Sequence, residues 1–446
     1  MMKKSLTAMI FLLLALALCL VPSVGMLVHG PAEARANESA ARAPELTGRD
    51  GALNTDYLSE LADYAGEGFY LRGELITLYA RALALFGRSA EDGVVLGTGG
   101  WLYYADELPD YSGTEPMTER EIFSAARNLS LMREYCEGLG AQFLFFIAPN
   151  KSSLYPQHMP GSYPRAEGAG NAQRLHAALA EEGVPFIDLF ALFGAEAEEL
   201  YFAHDSHWNS RGAALAADAV LAALGREGAY FSGPFGAAEA HSGDLFEMLY
   251  PAAADGETNA PPAGLEFTQS KNIRPDSITI DTESGGEGAL LMFRDSFGEL
   301  LYPYLADAFG SARFSRQAAY DLTLAAGLGA DTVAVEIVER NLRWLVEQPA
   351  SYPAPERELS LPAAEGELPL ALEDAPEGLH RVTGALETAP DTDSPVYIAH
   401  GGRAYEAALL PGGGFMACLP GEGGGDYAVA WYEGGELRCA GASVYK

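Results

Sequence analysis

Two short segments contain the residue types that acyl-transfer chemistry requires. Residues 204–209 read HDSHWN and residues 294–298 read RDSFG. A serine hydroxyl is a weak nucleophile that needs a base within hydrogen-bond reach, and the base needs an acid to orient it. Ser296, His207 and Asp205 are therefore the candidate nucleophile, base and orienting acid. The chain order Asp, His, Ser is no obstacle, because triads are recognised by geometry rather than by order.

The elements predicted around Ser296 place it where such chemistry occurs. Residues 289–293 are uniformly apolar, which is typical of a strand buried on both faces. A helix is predicted from about residue 298 to 309. Ser296 would then lie at the carboxyl end of a parallel strand, where open α/β sheets bind ligands. The N-terminus of the helix supplies N–H groups and a positive dipole end, which favour an oxyanion.

The rest of the region alternates between helix and strand patterns. Thr118 and Glu121 form a capping box before an amphipathic helix, and Asn209 or Ser210 caps an Ala-rich helix. This alternation predicts an α/β fold with a mostly parallel sheet and helices on both faces. Further strands are predicted at 143–147, 186–188 and 332–338, with an early hairpin over 94–104 and an irregular stretch over 228–284.

Composition and hydrophobic pattern divide the chain into five parts. Lys3 and Lys4 precede an apolar run, and Ala34-Arg35-Ala36 offers a cleavage site, so residues 1–36 fit a signal peptide or an uncleaved membrane anchor. Either reading places the bulk of the chain outside the cytoplasm. The other predicted parts are a spacer (37–55), the α/β domain (56–350), a Pro-rich linker (351–374) and a small C-terminal all-β domain of sandwich type (375–446).

Composition excludes several classes of partner. The 446 residues carry a formal net charge of -34, so neither nucleic acid nor anionic lipid is an expected partner. The four cysteines form no CxxC or Cys/His grouping, and no metal site or cofactor is predicted. An exported location would permit Cys418 and Cys439 to form a disulfide, and the sequence leaves that pairing open.

Several segments resemble one known family. Residues 205–208, DSHW, resemble the D-x-H-W signature of alginate O-acetyltransferases of the AlgX/AlgJ type and of the bacterial DHHW family. Residues 294–298 resemble the nucleophile block of that family, in which G-D-S-F is the commoner form. The resemblance covers roughly residues 56–348. It also rests on the early strand pair at 93–104, the loop at 148–156 and the late block EIVERN at 336–341.

The resemblance implies a permuted SGNH hydrolase-like fold, which is flavodoxin-like. It implies transfer of acetyl groups to an extracellular polysaccharide, with the donor relayed by a membrane-bound O-acyltransferase of the MBOAT type. Ser296, His207 and Asp205 would carry the reaction. Tyr302 would match a family tyrosine near the site, and Asn150 is a candidate oxyanion or substrate contact. Arg294 replaces the usual glycine and could attract an anionic group, Trp208 could be a core residue or a sugar platform, and the C-terminal region is only weakly like a carbohydrate-binding module.

Three alternatives remain at this point. A carbohydrate esterase or deacetylase would use the same triad, because water and a sugar hydroxyl are chemically equivalent acceptors. A non-catalytic envelope protein could bind glycan through its β-domain. Asp205 and His207 could also be two ligands of a metal site with His204 as the third.

Overall fold

The computed structural model describes residues 2–32, 42–48, 51–375, 378–421 and 423–445. Helix α1 (Met2–His29) contains a stretch, Ala8–His29, that is long and apolar enough to cross a membrane, with a mean hydropathy of 2.6. A signal sequence has the same properties. The predicted cleavage site at Ala34–Ala36 lies outside the described residues, as do residues 37–41 and 49–50 of the predicted spacer.

The middle of the chain forms an α/β domain. The predicted strands at 143–147, 289–293 and 332–338 and the predicted helices after Thr118, Asn209 and Ser296 are confirmed, in some cases to the residue. The elements are α2 (Tyr57–Gly68), α3 (Arg72–Ala84), β1 (Val94–Leu96), β2 (Leu102–Tyr104), α4 (Leu108–Ser112), α5 (Glu119–Gly138), β3 (Gln142–Ala148), α6 (Lys151–Leu154), α7 (Asn171–Glu182), β4 (Phe186–Ile187), α8 (Leu189–Gly194), α9 (Ser210–Ala223), β5 (Glu239–Ala240), α10 (Asp244–Leu249), β6 (Thr258–Asn259), β7 (Phe267–Gln269), β8 (Thr279–Ser284), β9 (Ala289–Phe293), α11 (Gly298–Ala308), β10 (Ser311–Ser315), α12 (Leu324–Leu328), β11 (Thr332–Val338) and α13 (Trp344–Glu347).

The central sheet has the strand order β4-β3-β11-β9-β10-β8-β7. The first five strands are parallel, whereas β8 pairs antiparallel with β10 and β7 pairs antiparallel with β8. The sheet is therefore mixed, and the predicted parallel arrangement holds for five of its seven strands. Strand β8 lies in the stretch predicted to be irregular. Its sequence TIDTES buries only alternate residues, so it lacks the uniform apolar signal of the inner strands.

Helices cover both faces of this sheet, as predicted. Alternate residues of a strand point to opposite faces, so β3 sends Phe143, Phe145 and Ile147 toward a core shared with α5 and α7. Its intervening residues Leu144 and Phe146 enter a second core with α9 and α11. Burial on both faces explains why the inner strands read as continuous apolar runs.

The C-terminal region is a β-barrel rather than the predicted sandwich. The sheet order is β12-β16-β15-β18-β19-β13-β14-β17, and a further pairing of β16 with β17 closes it. Strands β12 and β13 lie within the range predicted to be a linker, so the barrel begins before residue 375. Its strands are β12 (Glu356–Arg357), β13 (Glu367–Asp374), β14 (Leu379–Ala385), β15 (Val396–His400), β16 (Arg403–Leu409), β17 (Gly414–Pro420), β18 (Tyr427–Glu433) and β19 (Glu436–Tyr445).

Cys418 and Cys439 are free, buried thiols. Cys418 lies on β17 and Cys439 on β19, two strands that β13 and β14 separate in the sheet order. The barrel is therefore held by its strand ladder and its apolar core rather than by a disulfide between these residues.

The barrel packs against α5 through a buried carboxylate. Glu406 on β16 is 1% exposed and accepts hydrogen bonds from Arg127 of α5 at 2.7 and 2.9 Å and from Arg357 of β12 at 2.7 Å. Next to it, the Asn128 side chain donates to the carbonyl oxygens of Leu345 and Leu409. Buried polar groups satisfied in this way fix the orientation of the barrel on the α/β domain.

Candidate active site

The three residues predicted to act together form a continuous hydrogen-bonded chain. His207 Nε2 lies 2.8 Å from Ser296 Oγ, and His207 Nδ1 lies 2.7 Å from Asp205 Oδ1. An ionised carboxylate only accepts hydrogen bonds, so Nδ1 carries the proton and Nε2 of the neutral ring accepts from the serine hydroxyl. This arrangement of hydroxyl, imidazole and carboxylate is the one that activates a serine.

Neighbouring charges shift the pKa values of Asp205 and His207 in opposite directions. Burial by itself would raise the pKa of Asp205, but the facing His207 and His241 rings hold it well below its ordinary value. Burial would lower the pKa of His207, but the charge and the hydrogen bond of Asp205 raise it above 6.5. The Asp244 carboxylate adds to this effect, and Arg340 opposes it. Asp205 therefore stays ionised and stabilises an imidazolium on His207.

A buried lysine holds the loop that carries Asp205 and His207. Lys151 is fully buried, and its Nζ donates to the carbonyl oxygens of Phe202 at 3.2 Å, Ala203 at 3.1 Å and Asp205 at 2.6 Å. Burial lowers the pKa of this ammonium group to about 8, although nearby carboxylates oppose the shift. One side chain thus fixes three carbonyl groups of the loop, which sets the direction of the Asp205 side chain.

The turn that presents Ser296 is braced from behind. Asp295 accepts the backbone N–H groups of Phe297 and Val338, and its own N–H donates to Glu336 on β11. Burial and the neighbouring Asp295 raise the pKa of the Glu336 carboxyl well above its ordinary value. Helix α11 begins at Gly298, so its positive dipole end lies beside Ser296.

Arg294 belongs to this turn rather than to an open anion site. It is 3% exposed, and its guanidinium donates to the carbonyl oxygens of Asp295, Pro275 and Ser277. Its aliphatic stem crosses Gly298, where a Cβ atom would overlap it, so the absence of a side chain at Gly298 makes room for the arginine. Arg294 therefore connects the turn that carries Ser296 to the segment before β8, and this position does not support the predicted role in attracting an anion.

The other residues predicted to contact substrate are buried and have partners inside the protein. Trp208 is fully buried and donates its indole N–H to Phe297 O at 3.0 Å, so it is a wall of the core and not a sugar platform. Tyr302 is 4% exposed and packs against Phe267 and Phe314 in the core. Asn150 is fully buried; its N–H donates to Glu339, its side-chain amide donates to Asp110, and its Oδ1 accepts from Arg340 N. These locations do not support a substrate contact for Trp208, Tyr302 or Asn150.

Sequence reasoning missed three residues that surround the chain of hydrogen bonds. His241 Nε2 lies 3.0 Å from Asp205 Oδ2, and Asp244 Oδ2 lies 3.7 Å from His207 Nδ1. The Arg340 guanidinium lies 5.6 Å from the Phe297 ring, and its Nη1 is buried without a hydrogen-bond partner among the described residues. Only Arg340 carried a sequence signal, because it lies in the late EIVERN block.

His204 does not join Asp205 and His207 as a third metal ligand. Its Nδ1 lies 2.6 Å from Asp255 Oδ1, and the groups of side chains close enough to share an ion are His204 with Asp255 and Glu257, and Asp205 with His207 and Asp244. In the first group both carboxylates accept backbone N–H groups, including those of residues 203 and 204. His204 and its two carboxylates therefore brace the loop.

A comparison with protein families agrees with the motifs. Residues 94–290 match the SGNH hydrolase-like domain of the acetyltransferase AlgX. This confirms the resemblance for that part of the chain. The matched range contains Asp205 and His207 and ends before Ser296, so the assignment of the serine rests on its position opposite His207.

Curated relatives carry a name of the same kind. A probable alginate O-acetylase AlgJ of Pseudomonas syringae pv. tomato is 31% identical over 140 residues, which are 30% of this chain and 34% of that protein. A protein of the same name in Pseudomonas fluorescens is 28% identical over 170 residues, or 37% of this chain and 42% of that protein. The chain thus matches between about a third and two fifths of the length of these relatives.

Two solved structures are also similar, at lower identity. The O-acetyltransferase domain of Pseudomonas putida AlgJ aligns with a TM-score of 0.39 and 19% identity, over 56% of this chain and 92% of that chain. A DHHW family protein from Eubacterium siraeum aligns with a TM-score of 0.41 and 17% identity, over 56% and 94%.

Proposed function

We propose that this protein is an exported O-acetyltransferase that moves an acetyl group through Ser296 to hydroxyls of an extracellular polysaccharide. The observation that carries the proposal is the hydrogen bond from the Ser296 hydroxyl to His207 Nε2, behind which Asp205 holds Nδ1. The name of the curated relatives, alginate O-acetylase, supports the acetyl group and the glycan acceptor. The apolar helix α1 supports export.

The reaction has two halves that use the same groups. Ser296 Oγ attacks the carbonyl carbon of an acetyl donor while His207 Nε2 takes the hydroxyl proton, and that proton then passes to the departing donor group. The product of this half is an acetyl ester on Ser296. In the second half His207 removes the proton of a sugar hydroxyl, whose oxygen attacks the ester carbonyl, and the proton returns to Ser296. The positive end of α11 favours the oxyanion in both halves.

The charge of the protein narrows the expected acceptor. A formal net charge of -34 repels anionic polymers, so neutral glycans are the acceptors we expect to bind best. The proposed donor system is a membrane-bound acyltransferase of the MBOAT type, for which a helix that places the domain next to the membrane is suited.

An assay with a chromogenic acetyl ester and defined oligosaccharides tests the proposal. We expect acetylated oligosaccharide to form with a neutral acceptor, and less with a polyuronate. If free acetate forms at the same rate with and without each acceptor, and no acetylated sugar appears, the protein is an esterase instead. Failure of a fluorophosphonate to label Ser296 would favour a non-catalytic glycan-binding protein.

A further inference from the structure

Asp205 is shared between two imidazole rings. Its Oδ1 atom faces His207 Nδ1 at 2.7 Å, and its Oδ2 atom faces His241 Nε2 at 3.0 Å. Each oxygen also accepts one backbone N–H group, from His207 at 3.0 Å and from Asp244 at 3.2 Å. The carboxylate thus has four donors, and a change in either ring alters the negative charge that the other ring meets.

The position of His241 is fixed by its own surroundings. It follows β5, its N–H donates to Glu257 O at 2.9 Å, and its ring stacks on Phe202 with centroids 3.9 Å apart and planes 10° apart. Two residues later the chain passes so close to His204 that a Cβ at Gly243 would overlap the His204 carbonyl. Because Asp205 only accepts, Nε2 of His241 carries a proton in the neutral ring, as Nδ1 of His207 does.

The charged groups around the two rings are mostly carboxylates. His241 faces Asp205, Glu257 and Asp255, which raise its pKa although burial lowers it. His207 faces Asp205 and Asp244, with Arg340 as the opposing cation. The Lys151 ammonium group binds the backbone of the same loop. Asp205 therefore lies between two rings, each of which becomes a cation when it binds a second proton.

We propose that His241 is a positioning residue of the Ser296 site, which holds Asp205 through Oδ2 and sets the basicity of His207 by its own charge. The inference rests on the proposed function. When His241 is neutral, the full charge of Asp205 stabilises an imidazolium on His207. When His241 gains a proton, Asp205 is shared between two cations, so His207 becomes a weaker base and titrates at lower pH.

Two variants of His241 separate its hydrogen bond from its charge. H241Q retains a neutral donor toward Asp205 but carries no charge, and H241F retains the stack on Phe202 without a donor. We expect the acid limb of kcat/KM in H241Q to move to higher pH by about one unit, because His207 then titrates without a second cation. H241F should show the same direction of shift and an additional drop of about tenfold in the plateau kcat, because Asp205 loses a donor.

An NMR titration of the histidine ring protons tests the effect of His241 on His207 without relying on catalysis. The His207 signals are assigned with H207Q. The pKa of His207 should rise in H241Q and stay unchanged in H204Q, because the ring of His204 contacts Asp255 and not Asp205. If neither the acid limb nor the His207 titration moves in H241Q, the proposal is wrong. If the titration moves but no acetyl transfer occurs in any variant, the proposed function fails and the coupling of the two rings stands.

Discussion

Two histidines three residues apart face carboxylates in similar ways but differ in what lies opposite their second ring nitrogen. His204 Nδ1 lies 2.6 Å from Asp255, and His207 Nδ1 lies 2.7 Å from Asp205. The far nitrogen of His207 faces the hydroxyl of Ser296 at 2.8 Å. In the part of the chain that the structure describes, the far nitrogen of His204 has no such hydroxyl opposite it.

The comparison shows that an imidazole–carboxylate pair does not by itself distinguish the proposed catalytic site. Asp205 and Asp255 both also accept backbone N–H groups, so this feature does not distinguish the two pairs. The pair beside His207 differs because β9 and α11 place Ser296 in front of it, and we propose that this serine makes the pair reactive. Experiments that treat the two pairs alike should therefore give unlike results.

The largest expected effect comes from the hydroxyl itself. S296A should lower acetyl transfer by at least about 10³-fold, because the nucleophile is lost. Ser206 provides a matched control, since its Oγ lies 3.2 Å from His207 Nδ1, on the side of the ring away from Ser296. Rates measured for S296A and S206A on one acetyl ester test this difference. Equal losses in the two variants would contradict the assignment of Ser296.

The next effect separates the two carboxylates. D205N should lower kcat by about 10²-fold or more, because an amide no longer fixes the Nδ1–H form of His207 or stabilises its imidazolium. D255N changes the corresponding atom beside His204 and should retain activity to the extent that the loop stays folded. A thermal unfolding curve for each variant shows whether a loss of activity comes from a loss of folding. A D255N loss as large as that of D205N would show that the two pairs are not functionally different.

A third change acts on both histidines at once. K151M removes the ammonium group that binds three carbonyls of their loop, and we expect it to destabilise the protein by about 2–4 kcal/mol, since those buried acceptors lose their partner. Activity should fall as well, because Asp205 is no longer held in place. Urea unfolding measures the first effect and ester turnover the second. Full stability in K151M would mean that Lys151 does not hold the loop.

The last comparison contrasts a charged carboxyl with a neutral one and concerns stability rather than turnover. Burial raises the pKa of Glu339 to about 8, whereas the pKa of Asp205 is lowered by its two imidazole partners. Folded Glu339 therefore keeps a proton that the unfolded chain loses above about pH 4.5, so its contribution to stability falls as pH rises toward 8.

E339Q should remove that slope, because its amide can still accept from Asn150 N and Ser153 Oγ and does not ionise. Free energies of unfolding of wild type and E339Q, measured at several pH values between the two pKa values, should diverge in favour of the variant as pH rises. A constant difference between the two proteins across this range would show that Glu339 is ionised in the fold.

The sequence revealed the parts of the site that depend on short local patterns. Asp205 and His207 lie in one motif, and Ser296 follows an apolar strand and precedes a helix, so their types and local elements could be predicted. His241 could not, because it is 36 residues from Asp205 in an irregular segment and its role depends on a tertiary contact. Arg294 indicated an open positive site, but only the packed turn reveals the carbonyl groups that it binds.

The fold shows the same division. Inner strands such as β3 and β11 are buried on both faces, and their apolar runs identified them almost to the residue. Strand β8, which lies between β10 and the edge strand β7, has a polar face and was not predicted. The alternation in the C-terminal strands fits a sandwich and a barrel equally well. The pairing of β16 with β17 that closes the barrel joins two residues of each strand, and no local pattern encodes it.

The acetyl-enzyme is the most direct test of the account. Wild-type protein and H207Q would be mixed with an acetyl ester, stopped with acid and digested, and the peptides examined by mass spectrometry. The account predicts one added acetyl group on the peptide that contains Ser296 in the wild type, its loss when a glycan acceptor is added, and little acetylation in H207Q. Acetyl transfer to the acceptor without any acetyl group on Ser296, or with the acetyl group on another residue, would contradict it.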